Sequence, residues 1–356
     1  MALGINGIAV YIAIHTMTRW VVAEALSSDE SASRRGYRLS PLLLFIAGII
    51  PLAYDEWVSF VVAVPFLLGS FEGAYWSAFH GFRKSGNTDG ERISVKRFQR
   101  YEVASTVIAA LLVIWLKNQD MVNYGGVIAS TFALVAYLIP MEEMLGQKSI
   151  AISTLQTWSE NAIRGRIVTG SLGTISYLSV WSMRIVSLET GGIALLGGMV
   201  AASKLIGYII SEINDSRRTP GDADLANWRI GNYLALFGII SMAVTLSLSL
   251  EVEFLFAYLF CTCGTSGILH PLEVRFAGEF LAGEGGSIGL RERIKFRTQA
   301  KVLLSYSLLL TPAIIYFERI PNTSVLLLPV LTLAGVCCIL NLHPRTIHVM
   351  RFRQFA

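Results

Sequence analysis

Apolar runs alternate with polar loops along the whole chain, and most of these runs are long enough to cross a lipid bilayer. A membrane-spanning helix needs roughly 17 to 25 predominantly apolar residues. Because lipid offers the backbone no hydrogen bonds, each run is predicted to be a helix. The second run is short and is predicted to begin earlier, near Tyr37. The runs lie near residues 7–26, 40–54, 58–80, 101–117, 123–141, 166–187, 192–213, 230–249, 254–272, 300–316 and 324–342.

This pattern predicts an all-α polytopic membrane protein with about 11 transmembrane helices, and the composition agrees with it. Hydrophobic residues make up 53% of the 356 residues, charged residues 15%, and the mean hydropathy is +0.56. A soluble domain averages about 25% charged residues. The four cysteines lie within predicted spans and lack the spacing of a zinc site, so small buried side chains are expected there. No metal and no cofactor is predicted.

The basic residues indicate how the chain is oriented in the membrane. Most of the 29 Lys and Arg residues lie in alternate loops and in the C-terminal tail, whereas Lys117 and Arg319 fall on the opposite side. The other four lie inside or at the edge of predicted spans, namely Arg19, Arg166, Arg184 and Lys204. Basic loops face the cytoplasm, so we expect a multi-pass protein of the cytoplasmic membrane with Met1 outside and Ala356 inside. The net charge of +4 follows from this bias and needs no nucleic-acid partner. The first span lacks a basic n-region and a cleavage site, and is predicted to be a retained helix.

The order of spans and loops occurs twice in the chain. The first and seventh spans place Arg19 and Lys204 at matching positions, and each span is followed by a polar loop with a double arginine, Arg34-Arg35 or Arg217-Arg218. A repeat of this kind predicts two pseudo-symmetric halves, with a substrate path where they meet. The sixth span has no counterpart before the first span.

The repeat sets the predicted domain organisation, in which the two halves are unequal. The predicted segments are an N-terminal half of about five spans at 1–145, a cytoplasmic linker at 146–165, a C-terminal half of about six spans at 166–345, and a cytoplasmic tail at 346–356.

The helix order and the loop charges resemble the major facilitator superfamily, which has two six-helix halves and the loop pattern G-x-x-x-D-R-x-G-R-R between its helices two and three. The chain has Asp29 followed by Arg34-Arg35-Gly36-Tyr37-Arg38, and it lacks the leading glycine. By this resemblance the first span matches family helix two; a start codon placed too late and a divergent eleven-helix member both account for that. The resemblance implies a loop that controls conformational change, formed by Asp29, Arg34, Arg35 and Arg38, with Arg217 and Arg218 in the second half.

Three charged residues within the predicted spans are candidates for a solute or ion pathway, because a charge in mid-membrane costs roughly 2.5 to 3.5 kcal/mol. Arg19 and Lys204 are predicted either to bind an anion or lock a gate, or to extend toward the cytoplasmic surface. Glu72 lies among glycines that let another helix approach closely. It is predicted either to carry a proton or to form a static pair with Arg19 or His15.

Aromatic residues complete the set of candidates. Tyr75 and Trp76 follow Glu72, on a helix that matches the cavity-lining helix four of the resembled family. The sixth span, which matches family helix seven, carries a polar stripe that includes Tyr177 and Trp181. The resemblance implies that these four side chains line the pathway; for Tyr75 and Trp76 the alternative is that they are anchors at the membrane interface. Arg184 is placed near the outer surface.

Taken together, these patterns favour a secondary active transporter that moves a small solute by alternating access, with or without proton coupling. Its predicted partners are the lipid bilayer and a small-molecule substrate. A non-transporting scaffold or sensor descended from a transporter is one alternative. An intramembrane prenyltransferase is another, based on Asn214-Asp215 and on Asp222 and Asp224. The chain has no nucleotide-binding motif, and we predict that it is not an enzyme. The substrate and the oligomeric state are not predicted.

Overall fold

The regular secondary structure of this protein is helical throughout the residues that the structure, a computed structural model, describes. The predicted all-α membrane fold is therefore confirmed. The described residues are 5–26, 30–53, 58–82, 89–119, 160–216, 222–273, 293–305, 323–344 and 346, together with isolated residues between 121 and 135.

The chain forms two compact units. Unit 1 comprises Met1–Ile163 and Gly278–Leu303, and unit 2 comprises Arg164–Ala277 and Leu304–Ala356. The segment Gly278–Leu303 therefore belongs to unit 1, although it lies between the two parts of unit 2 in sequence.

Unit 1 contains helices formed by the first four apolar runs and by one helix from late in the sequence. Its helices are α1 (Ile5–Leu26), α2 (Glu30–Ala53), α3 (Val64–Phe82, preceded by a π-helical turn at Ser59–Ala63), α4 (Asp89–Asn118) and the part of α8 (residues 293–305) that ends at Leu303. Helix α3 packs against both α1 and α2.

Two glycines allow α3 to pack closely against α1. A Cβ atom on Gly69 would lie 2.5 Å from the backbone oxygen of His15, and one on Gly73 would lie 2.6 Å from that of Arg19. Backbone atoms cannot move aside as a flexible side chain can, so these positions require glycine. Small residues serve this purpose between membrane helices, where close packing replaces the hydrophobic effect. The glycines around Glu72 were predicted to let another helix approach closely, and α1 is that helix.

Unit 2 contains the part from Arg164 onward of a long helical stretch, α5 (Glu160–Ser216), that is interrupted at Gly192. Gly192 has φ 65° and ψ −155°, a conformation that only glycine adopts without strain. It separates α5a (residues 160–191) from α5b (residues 193–216). The sixth and seventh apolar runs are thus joined at one glycine.

The remaining helices of unit 2 are α6 (Asp222–Ser247), α7 (Glu251–Thr262, continued by a π-helical segment at Cys263–Leu269) and α9 (Thr323–Leu342). Glycines again bring helices together, because a Cβ atom on Gly238 would lie 2.5 Å from the backbone nitrogen of Cys261. Helix α6 also packs against α9.

Five helices in the described part of the chain have the length and hydropathy needed to span a membrane, namely Ser59–Ser77, Arg100–Asn118, Ala194–Asn214, Asp224–Ser247 and Glu251–Glu273. Many of their large apolar side chains are exposed, including Leu111 and Trp115 of α4. An apolar exterior is expected for helices that are surrounded by lipid.

Several helices extend beyond the apolar runs that predicted them. Helix α2 begins at Glu30 and α4 at Asp89, and α5 begins at Glu160, within the segment predicted as a linker. The apolar run marks the length that lies in lipid, but residues such as Glu, Ala and Arg sustain a helix in water as well. Sequence therefore located the helices better than their ends.

Candidate functional site

A cluster of polar and ionisable side chains is buried in unit 1, where α1 meets α3 and α8. We name it the Arg19 cluster; its members are His15, Arg19, Glu72, Phe296 and Gln299. The Arg19 guanidinium donates a hydrogen bond of 2.8 Å to the Glu72 carboxylate and another to the side-chain oxygen of Gln299. It also lies over the Phe296 ring, 4.5 Å from the ring centre. The His15 Nε2 atom lies 3.5 Å from the other oxygen of Glu72.

The members of the Arg19 cluster differ in their access to the surroundings. The side chains of His15 and Arg19 are 6% and 10% exposed, whereas that of Glu72 is 31% exposed. The carboxylate is therefore the accessible group of the pair. Removing one partner of a buried pair leaves a charge uncompensated, which typically costs about 3–5 kcal/mol, so each member depends on the others.

The local sequence explains how these residues meet. His15 and Arg19 are one helical turn apart on α1 and so share a face. Gly69 and Gly73 bring the α3 backbone against that face, at the carbonyl groups of the same two residues. Glu72 lies between the two glycines, so the close approach puts its carboxylate within hydrogen-bonding distance. The pairing of Glu72 with both Arg19 and His15 was one of the two predicted alternatives.

A second ionic contact joins α1 to α8 farther along α1. The Glu24 carboxylate accepts a hydrogen bond of 2.6 Å from Arg293 and lies 3.8 Å from the Arg297 guanidinium. Trp20 donates a longer hydrogen bond of 3.4 Å to the same carboxylate. Together with Gln299, these groups hold α8 to α1 at two levels.

Sequence reasoning missed the partners that α8 supplies. Residues 293, 296, 297 and 299 recur at the spacing of one helical face, just before the tenth apolar run. That spacing indicates a helix that begins before the run, but it does not identify the helix on which the face packs.

The aromatic residues predicted on α3 differ in burial. Tyr75 is fully buried, with its ring centre 5.0 Å from that of Tyr37 on α2 and 5.6 Å from that of Phe71. Trp76 is half-buried and meets Tyr75 edge to face at 5.2 Å. Tyr75 therefore contributes to packing between α2 and α3, and Trp76 is the more accessible of the two. A role of either ring in contacting solute stays a prediction.

In unit 2, α5a places an arginine and two aromatic rings on one face. The Arg184 guanidinium lies over the Trp181 ring at 4.6 Å, and Trp181 meets Tyr177 in a T-shaped arrangement at 6.3 Å. Tyr177 is buried, whereas Trp181 and Arg184 are half-buried. Arg184, which the sequence places in the polar stripe near the outer end of the sixth span, thus lies beside the two aromatic rings of that stripe.

Lys204, the repeat partner of Arg19, lies in a different environment. It is exposed on α5b, whereas Arg19 is buried in an ion pair. In α5b the close approach to the π-helical segment occurs at Gly207, where a Cβ atom would lie 2.9 Å from the Cβ of Ser266. The matching positions of the two repeats therefore differ in burial.

A buried polar network in unit 2 was not predicted from sequence. The Asn341 side chain on α9 accepts a hydrogen bond of 2.8 Å from Ser171 on α5a and donates one of 3.2 Å to Asn232 on α6. Trp228 donates a hydrogen bond of 3.1 Å to the Asn341 backbone oxygen. Asn232 and Asn341 are isolated amides in apolar helices, which is a sequence signal for bonding between helices.

The part of the predicted conformational loop that lies in the first repeat is helical where the structure describes it. Arg34, Arg35 and Arg38 lie in the first turns of α2, and Arg35 donates hydrogen bonds to Ser31 one turn earlier. These arginines therefore belong to a helix rather than to a loop. Asp29, Arg217 and Arg218 lie outside the described residues.

The residues behind the prenyltransferase alternative are described only in part. The side chains of Asp215 and Asp222 are not among those described, and Asp224 is half-buried at the start of α6. Within the described ranges, no group of three or more His, Cys, Asp or Glu side chains is arranged to hold a metal ion.

Comparison with known proteins gives similarity in structure but not in sequence. No protein-family model and no curated protein matches the sequence. The structure is similar to that of the major facilitator superfamily proton:xylose symporter XylE bound to 6-bromo-6-deoxy-D-glucose, with a TM-score of 0.61 and 11% identity over 95% of this chain and 86% of that chain. It is also similar to a bacterial homologue of the iron transporter ferroportin in the outward-facing state, with a TM-score of 0.53 and 15% identity over 94% of this chain and 90% of that chain.

A third similar structure is that of the E. coli fucose:proton symporter FucP carrying the substitution N162A. The TM-score is 0.50, with 12% identity over 93% of this chain and 90% of that chain. Identities this low establish a shared fold, so the protein has the all-α polytopic membrane fold of these structures. The expected likeness to the fold of the major facilitator superfamily is confirmed.

Proposed function

We propose that this protein is a secondary active transporter that moves a small solute across the cytoplasmic membrane by alternating access, with protons coupled through Glu72. The observation that carries the proposal is the Arg19 cluster, in which a carboxylate within a spanning helix is paired with an arginine yet remains 31% exposed. Intramembrane charges are costly and are usually retained for transport of ions or solutes.

The arrangement supports coupling because the charge of Glu72 decides what Arg19 binds. While Glu72 is ionised, it accepts a charge-assisted hydrogen bond from Arg19, and such bonds are roughly twice as strong as neutral ones. When Glu72 takes up a proton, that attraction weakens, and Arg19 keeps Gln299 and Phe296 as its neighbours. Protonation therefore changes the contacts between α1 and α3, as a transported proton must in order to bias a conformational equilibrium.

The fold fits this proposal without deciding the solute. Two of the similar structures are of proton symporters, one for xylose and one for fucose, and a third is of a homologue of an iron transporter. One fold thus serves different solutes, and the solute must be inferred from the site.

Uptake into proteoliposomes tests the proposal directly. The purified chain is reconstituted, and labelled xylose, fucose and benzoate are offered with an inward proton gradient, alongside protein-free liposomes. We expect one of these solutes to accumulate, and a protonophore to abolish the accumulation. The Glu72→Gln variant is expected to lose accumulation but to keep exchange of labelled for unlabelled solute, because a neutral glutamine mimics the protonated carboxyl group.

Ser70→Ala provides a matched control, since Ser70 is buried on the same helix but carries no charge. Its accumulation is expected to equal that of the wild type. Accumulation by Glu72→Gln at the wild-type level would show that coupling does not use Glu72. Failure of the wild type to move any of the three solutes, when folded protein is present in the vesicles, would instead favour the scaffold or sensor alternative.

A further inference from the structure

We propose that Arg184 and Trp181 on α5a form a subsite for the carboxylate of a small aromatic anion, and that such an anion is the transported solute. The subsite rests on the proposed transport function and names its substrate class. Every group that forms it belongs to unit 2.

The geometry leaves the hydrogen-bonding edge of Arg184 available. Its guanidinium is stacked over Trp181 at 4.6 Å, so one face of the planar group is covered by the indole. The N–H donors of a guanidinium point outward in its own plane, and stacking does not consume them. Carboxylate is the planar anion that accepts two parallel hydrogen bonds from this edge.

Among the described residues, no carboxylate pairs with Arg184, whereas Arg19, Arg293 and Arg297 each have an acidic partner. The carboxylate of Glu251, at the start of α7, accepts a hydrogen bond of 2.8 Å from Thr190 of α5a. A half-buried arginine on a predicted span is costly without a counter-ion, and an anionic solute would supply that counter-ion.

The neighbouring side chains fit a flat apolar body next to the carboxylate. Trp181 is half-buried and is supported edge-on by buried Tyr177, so the ring is held in place. Buried Tyr258 on α7 interacts with the charge of Arg184 and with the side chains of Ser203 and Thr262. Arg184 therefore lies near Tyr258 of α7, and Trp181 is supported by Tyr177 on its own helix, which is the pre-organisation that a binding site requires.

An aromatic monocarboxylate matches these features better than a neutral sugar does. The carboxylate offsets the charge of Arg184, and the ring is able to stack near Trp181. Benzoate is the simplest such anion, and benzamide has nearly the same shape without the charge. The pair therefore separates recognition of charge from recognition of the ring.

Binding to the purified full-length chain in detergent tests the subsite by titration calorimetry. We expect benzoate to bind saturably and benzamide to bind at least about ten-fold more weakly, as is typical for losing a hydrogen bond to a charged group. Arg184→Gln is expected to weaken benzoate binding by a similar factor and to leave benzamide unchanged. Arg229→Gln, which removes an exposed charge from α6 in the same unit, should bind benzoate as the wild type does.

A second variant guards against misfolding of Arg184→Gln. Trp181→Leu keeps the cation and is expected to weaken benzoate binding several-fold while retaining the preference over benzamide. The proposal is overturned if wild-type protein does not bind benzoate, if benzamide binds equally well, or if folded Arg184→Gln binds benzoate with wild-type affinity. Loss of benzoate binding in Arg229→Gln would also overturn it, because the attraction would then be a general effect of charge.

The subsite and the transport function fail in distinguishable ways. Benzoate binding that depends on Arg184, without uptake of any labelled solute into proteoliposomes, would support the subsite and reject transport. Proton-driven uptake of xylose or fucose, without benzoate binding, would support transport and reject the subsite.

Discussion

At the scale of single residues, burial of charge distinguishes the candidates that sequence treated as equivalent. Arg19 and Lys204 occupy matching repeat positions, yet Arg19 is buried against Glu72 and Lys204 is exposed. The burial of Arg19 arises from a neighbouring helix, because α3 supplies Glu72 where Gly69 and Gly73 approach α1. A sequence pattern shows that a charge lies within a span, but its partner comes from another helix.

The Arg19–Glu72 pair gives a prediction about stability. Arg19→Leu and Glu72→Leu should each lower the free energy of unfolding in detergent by about 3 kcal/mol, the low end of the range for breaking a buried pair, since Glu72 is 31% exposed. The double variant should be more stable than the sum of the two losses implies, because it leaves no charge unpaired. Denaturant unfolding of all four proteins measures this coupling. Strictly additive losses would show that the two residues act independently.

At the scale of helices, close approach depends on glycine at positions that sequence only partly identified. The glycines around Glu72 were expected to admit another helix, and α1 is that helix. The contact of Gly238 with Cys261 and the turn at Gly192 were not anticipated, because glycine in an apolar run also occurs without such a role. Apolar periodicity predicts where helices lie, whereas the packing of α8 on α1 depends on side chains far apart in sequence.

A glycine substitution tests whether this close packing stabilises unit 1. Gly73→Ala would place a methyl group 2.6 Å from the Arg19 backbone oxygen, so α1 and α3 would have to separate. Overpacking of this kind typically costs about 1–3 kcal/mol, and we expect a lower melting temperature in detergent. Gly198→Ala is the matched control, since no atom lies within 4 Å of its added Cβ. That variant should melt at or above the wild-type temperature, because alanine favours helix. Equal melting of both variants would argue against a tight interface.

At the scale of the whole molecule, the sequence predicts the fold class better than it predicts which segments belong to each of the two units. Eleven apolar runs and a repeat were enough to predict an all-α membrane fold, and similarity to three transporter structures confirms it. The residues from Gly278 to Leu303 group with unit 1 although they follow unit 2 helices in sequence. Hydropathy cannot reveal this grouping, since it depends on the contacts that Arg293 and Gln299 make with α1.

Orientation in the membrane remains to be tested, and it follows from the distribution of basic residues. The basic loops place the start of α2 and the start of α6 in the cytoplasm. In the same topology the end of α4 and the end of α6 lie outside. We therefore expect Ser31 and Ala226 to face the cytoplasm and Gln119 and Ser249 to face the exterior. All four residues are exposed, and Ser249 lies in the turn after α6.

Single cysteines at these four positions, in a chain whose native cysteines are replaced by alanine, check the orientation of both halves. A thiol reagent that cannot cross membranes should label Gln119→Cys and Ser249→Cys in intact cells, and Ser31→Cys and Ala226→Cys only after the cells are opened. An odd number of spans between Ser31 and Gln119, and between Ala226 and Ser249, accounts for this result. Labelling of Ser31 and Gln119 from the same side would mean that a span in the first half is missing. A reversed pattern in only one half would mean that the repeats are inverted rather than parallel, and the matching of Arg19 with Lys204 would then lose its basis.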